Sequence, residues 1–119
     1  MATIVVNSTV TAQHLNRTTR ASMQVTQAVS RSWSYTQVIG TSEEAISIGG
    51  DISTLGLATF TNMDSANYVV VGPDSGGSMV GAIRLKAGES FTVRLNPGTS
   101  YRAQANGSPV DLDITVYND

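Results

Sequence analysis

The sequence predicts an all-β protein: a single antiparallel β-sandwich, jelly-roll-like, of about eight strands, with an N-terminal arm. Three observations predict it. Apolar residues alternate with small polar ones at period two, and helical periodicity is nearly absent. Turn signals rich in Gly, Asn, Asp and Pro recur at roughly 8–12-residue spacing. Thr, Ser and Val are abundant, and these residues suit a pleated, half-buried surface. A chain of 119 residues is one domain at most and long enough to bury a usable core.

Along the chain, Thr3–Val6 reads as a short strand. Residues 7–20 are polar and show no clean period, so 1–20 is read as an arm or extended loop that orders against something else, or alternatively as a plain domain-edge strand and loop, and 21–119 as the sandwich. Residues 23–39 alternate throughout, with Met23, Val25, Val29, Trp33, Tyr35 and Ile39 on one face. That run exceeds an ordinary strand, and Arg31 interrupts its apolar face, so a bend is expected near Ser30–Ser32. Shorter strands follow at Glu44–Ile48, Leu57–Thr61 and Asn67–Val71, the last stopped by a connection over Gly72–Gly77. Val80–Leu85 and Ser90–Leu95 flank a hairpin turn at Lys86–Glu89. Asn96-Pro97-Gly98-Thr99 is a strong turn, with Pro second and Gly third. Tyr101–Ala105 and Val110–Tyr117 complete the set. In the last strand Val110, Leu112, Ile114 and Val116 face inward, while Asp111, Asp113 and Thr115 face outward.

Composition narrows the chemistry. Charged residues are 13%, about half the usual ~25%, which argues against disorder. Cys is zero, which removes disulfides and thiolate chemistry. With a single His, no His cluster can hold a metal. No apolar run approaches the ~20 residues that span a bilayer, and the first residues do not read as a secretory signal. The net charge is −2, divided into +3 over residues 1–42 and −5 over the remainder. The basic residues are scattered without interleaved aromatics, which disfavours nucleic acid.

Candidate sites are few. His14 has no accompanying G-x-S-x-G elbow and lies in the segment least suited to catalysis. Asp111 and Asp113, with Asp119 nearby, form an acidic stripe whose reading is a solvated or subunit-facing surface; Ca²⁺ is the competing reading. Gly72–Gly77 lacks the Lys-Ser/Thr and the helix of a phosphate loop. Trp33 and Tyr35 lie two apart on one face, as core or subunit interface, or alternatively as a platform for a sugar ring. No catalytic residue, cofactor or metal is expected.

The stretches TNMDSANYVVVG, RLKAGESFTVRLNPGTSYRAQAN and VDLDITVYND resemble small β-sandwich virion proteins of tailed bacteriophages. The matching positions are Thr61, Asn62, Asp64, Asn67 and Tyr68; then Arg84, Leu85, Ala87, Gly88 and Glu89; then Pro97, Gly98, Thr99, Tyr101 and Ala103. The resemblance covers about residues 59–119 and is mostly turn chemistry. It implies a non-enzymatic virion component, assembled in the cytoplasm of a bacterial host. The reading is a capsid decoration or cement protein. Alternatives are a tail, neck or baseplate component, and a carbohydrate-binding module at a receptor-binding tip.

Lys86 is the one lysine, and there are three prolines, so few charges or prolines guard the expected sheet edges. Many edges are therefore expected to be covered by sister subunits, in a trimer or another ring, and by the major capsid protein or another virion protein. The expected contact residues are Ile4, Val5 and Val6, as a patch that adds a strand to a neighbour, Arg17 and Arg20, as partners for carboxylates, and Trp33 and Tyr35.

Overall fold

The computed structural model describes residues 2–27 and 31–119. The chain forms two compact units, Met1–Ser30 and Arg31–Asp119. Among the described residues there are eleven strands and one short 3₁₀ turn.

The second unit is the sandwich. One sheet has the order β3-β11-β5-β9: β3 (Ser32–Ile39), β11 (Val110–Asn118), β5 (Leu55–Asn62) and β9 (Ser90–Arg94). The other joins β4 (Glu44–Ala45), β10 (Tyr101–Ala105) and β6 (Val69–Ser75). Beyond β6, along the same edge, lie β7 (Ser78–Met79) and β8 (Ile83–Leu85). All pairings are antiparallel. Successive long connections pass from one sheet to the other, which is the jelly-roll arrangement.

The core follows from alternation. Val110, Leu112, Ile114 and Val116 on β11 have no exposed surface, and they meet Phe60, Val69, Ala103 and Ile39 in one apolar cluster. β11 pairs with β3 on one side and β5 on the other, so its inward stripe is covered from both flanks. The predicted turns close as hydrogen-bonded loops: Glu89 N–H donates to Lys86 O at 3.0 Å and Thr99 N–H to Asn96 O at 3.2 Å.

Two strand limits differ from expectation. The strand read as ending at Val71 continues through Gly72 and Pro73 to Ser75, because β10 pairs with it as far as Pro73. The strand expected over Val80–Leu85 is interrupted at Val80–Ala82. There the Val80 carbonyl lies 2.0 Å from where a Cβ on residue 72 would stand, an approach only glycine permits.

The first unit is a hairpin. Residues 7–20, read as an arm or loop or alternatively as an edge strand and loop, belong to β1 (Ala2–Ala12), β2 (Arg17–Gln27) and the turn between them, and the two strands pair in register along their whole length. The 3₁₀ turn Gln13–Leu15 joins them, with Asn16 left-handed at φ 50°. The expected boundary between residues 20 and 21 falls inside β2. The expected bend near Ser30–Ser32 begins outside the described residues, as do Ala28 and Val29; β3 starts at Ser32.

Two buried asparagines hold the ends of the β5–β11 pair. Asn62 Nδ2 donates to Asn67 O at 2.9 Å and Leu85 O at 3.0 Å, while its Oδ1 accepts from Asp64 N–H at 2.9 Å. At the other end Asn118 Oδ1 accepts from Ser53 N–H at 2.7 Å and Thr54 N–H at 3.3 Å. Asp64 in turn accepts from Asn67 N–H at 2.6 Å and Ala66 N–H at 3.0 Å. These backbone donors, Asn67 first, hold its carboxyl below the ordinary 3.8.

Replacing Asn62 by Ala strands two buried carbonyls and one N–H, so chemical denaturation should show a loss of about 3 kcal/mol. The Asp64 contribution is present above the ordinary carboxylate range and disappears as pH falls through its lowered pKa. Melting curves of wild type and Asp64→Asn should therefore converge below about pH 4. A constant gap down to the acid limit would contradict this.

Candidate interaction surface

The hairpin and the β3 edge carry the residues singled out by sequence. On the hairpin, register decides which side chains share a face. Ile4 lies opposite Val25, Val6 opposite Met23, Val10 opposite Thr19, and Ala12 opposite Arg17. The other face presents Val5 opposite Gln24, Asn7 opposite Ser22, Thr9 opposite Arg20, and Thr11 opposite Thr18. One face is thus largely apolar and the other largely polar.

Ile4, Val5 and Val6 are all in register with β2, and Val5 points away from the other two. Arg17 and Arg20 lie on opposite faces of the hairpin, since odd and even positions of β2 face opposite ways. Sequence reasoning missed Val10 and Ala12, which complete the apolar face with Met23 and Val25, two residues that alternation had already placed together. Their signal was the i, i+2 series Ile4, Val6, Val10, Ala12, broken only by Ser8.

Trp33 and Tyr35 do come together, with ring centroids 5.5 Å apart and planes tilted by 37°. Trp33 is half-buried and packs on the core cluster, whereas Tyr35 is 51% exposed. A Cβ on residue 49 would stand 2.1 Å from the Trp33 ring, so Gly49 already seats the indole. Among the described residues β3 has β11 on one side and no strand on the other. Its eight residues, SWSYTQVI, include no charge and no proline.

The outer face of the β3 sheet is hydroxyl-rich. Ser34 and Thr115 hydroxyls lie 3.0 Å apart, Thr59 and Thr92 hydroxyls 3.2 Å apart, and Thr36 donates to Asp113 at 3.3 Å. Asp111 stands opposite Val38 on the same face. Asp119 pairs with Arg94 at 3.0 Å, an exposed pair of small energetic weight. Among the described residues no three His, Asp or Glu gather to hold a metal ion.

Between the sheets lies a cavity of about 80 Å³ bordered by Phe60, Val71, Ile83, Phe91 and Val93. Its polar neighbours are already engaged: Arg94 by Asp119, and the Tyr101 hydroxyl by Asn96 N–H at 2.9 Å. His14 sits in the exposed turn at the hairpin tip. Gly76 and Gly77 form the turn from β6 to β7, where Gly77 N–H donates to Asp74 at 2.8 Å.

No protein-family model matches the chain, and no curated protein matches it.

Gly49→Ala should push the indole off its seat and cost about 1–3 kcal/mol. Trp33 is the sole tryptophan, so its fluorescence reads the change directly. A red-shifted native emission with a lower melting temperature is expected.

Proposed function

We propose that the chain is a non-enzymatic structural subunit of a virion, a capsid decoration or cement protein that binds a phage head and reinforces it. The observation that carries the adhesive part of this reading is the β3 edge: eight residues of strand without a charge or a proline and, among the described residues, without a partner strand on its outer side. Proteins that stay apart in solution guard such edges, and an unguarded one suits pairing with another chain. Jelly rolls recur in viral capsid proteins, although the fold alone assigns no function. The assignment to a virion rests on the resemblance of residues 59–119, and its key positions have a physical role here. Asn62, Asp64 and Asn67 build one hydrogen-bonded corner, and Lys86–Glu89 builds the next.

The partners in this reading are sister subunits and the major capsid protein or another virion protein. The mechanism is contact chemistry: backbone pairing at β3, and a small-polar outer face that is cheap to desolvate because it carries few charges.

Cryo-electron microscopy of intact virions should place the subunit on the head exterior. Placement in the neck, tail or baseplate would overturn the decoration reading. Ser34→Lys combined with Thr36→Lys adds edge charges at exposed positions. Binding of the purified variant to undecorated heads should weaken at least about tenfold, roughly 1.4 kcal/mol.

A further inference from the structure

Residues 106–109 carry the chain from β10 to β11 in a turn that is exposed throughout. At its start Asn106 N–H donates to Tyr68 O at 3.0 Å. Gly107 follows with a left-handed φ of 87°. It packs against the buried-asparagine corner, since a Cβ on residue 107 would stand 2.9 Å from Asn67 Oδ1. Among the described residues, neither the Gly107 N–H nor the Asn106 side-chain amide has a hydrogen-bond partner in the protein. The turn therefore sets an electrophile, the Asn106 amide carbon, next to a nucleophile, the Gly107 nitrogen. Glycine has no Cβ to shield that nitrogen, and water reaches both groups.

We infer that Asn106-Gly107 is a site of spontaneous covalent modification, where the folded chain converts Asn106 through a cyclic imide to aspartate and isoaspartate. The Gly107 nitrogen gives its proton to solvent base and attacks Asn106 Cγ. The new N–Cγ bond forms, the Cγ–Nδ2 bond breaks, and the amide nitrogen leaves as ammonia with a proton from water. Water then opens the imide at either carbonyl. Cleavage between Cγ and the Gly107 nitrogen restores the ordinary main chain with aspartate at 106. Cleavage between the Asn106 backbone carbonyl carbon and that nitrogen leaves the main chain running through Cβ and Cγ, which is isoaspartate. One water is consumed, one ammonia is released, and nothing is oxidised or reduced. Both products place a negative charge beside the Asn62–Asp64–Asn67 corner, and isoaspartate also lengthens the main chain there.

The fold withholds the same reaction from the other asparagines. Asn96 precedes a proline, which has no N–H to lose. The N–H after Asn62 donates to Asp111 O, and the N–H after Asn118 donates to Thr54 O, both at 2.9 Å. Asn67 commits its side-chain amide to Asp64 at 3.3 Å. Asn7 lies in the paired register of β1 opposite Ser22, and Asn16 is followed by Arg17, the first residue of β2. Asn106 alone is followed by glycine.

The inference goes beyond the virion reading and does not rest on it, since it concerns the chain and water alone. The folded chain is incubated at neutral pH and physiological temperature, and its peptides are followed by mass spectrometry. Deamidation at Asn106 should run at least about tenfold faster than at any other asparagine. Isoaspartyl methyltransferase, which methylates isoaspartate, should label the aged wild type. It should leave equally aged Asn106→Gln unlabelled, because the longer side chain closes its ring poorly. Equal rates across the asparagines, or labelling that Asn106→Gln retains, overturns the inference. So does modification of Asn106 that occurs only when the chain is unfolded in urea, for then the folded turn protects the residue.

Discussion

The side-chain amide of Asn62 is the interaction on which the sandwich depends. A jelly roll passes its chain repeatedly between two sheets, so its corners must be fixed in space before its faces can pack. Asn62 ends β5 and, from one buried amide, ties that strand to the start of β6 through Asn67 O and to the end of β8 through Leu85 O. Its backbone makes the connection firmer: the N–H donates to Glu89 O and the carbonyl accepts from Gly88 N–H. Four segments of two sheets thus meet at one residue with no exposed surface. An apolar residue there would keep the two backbone bonds but leave Asn67 O, Leu85 O and Asp64 N–H without the amide that serves them.

The remaining polar groups inside the unit follow the same economy. Gln37 is buried on β3 and bridges to the short β4 strand, donating to Glu44 and to Ala45 O at 3.0 Å and accepting from Ser47 N–H at 2.9 Å. Arg102 on β10 lies 3.7 Å from Asp74 and 3.9 Å from Glu43, which connects the second sheet to the loop before β4. These contacts use up side chains that would otherwise suggest a reactive site. The charges that stay free of such work, Asp111 among them, sit on the outer surface.

Sequence patterning recovered the sandwich best where a strand buries one face only. β11 and β9 alternate without fault, and alternation is legible wherever one side meets a core and the other meets water. The arm was less legible for a related reason. Ser8 interrupts the inward series, and Thr, Ser and Asn occupy both faces, so contrast between the faces is low. Pairing with β2 supplies the regularity that the first strand alone does not display. β6 was cut short because Gly72-Pro73 reads as a turn, yet Pro needs no donor where its neighbour asks for none. The surface residues were found in part: the Trp33–Tyr35 pair was visible from spacing, while the separation of Arg17 from Arg20 required the register.

The cleft among Phe60, Phe91 and Val93 has a consequence for hydration. Its space of about 80 Å³ opens towards solvent and is lined chiefly by apolar side chains. Water there finds few hydrogen-bond partners, because the Arg94 guanidinium and the Tyr101 hydroxyl beside it are already engaged. Between β9 and β6 the sandwich therefore keeps apolar surface wetted at a cost of about 25 cal/mol per Å², and the stacked rings of Phe60 and Phe91, 5.1 Å apart, border it.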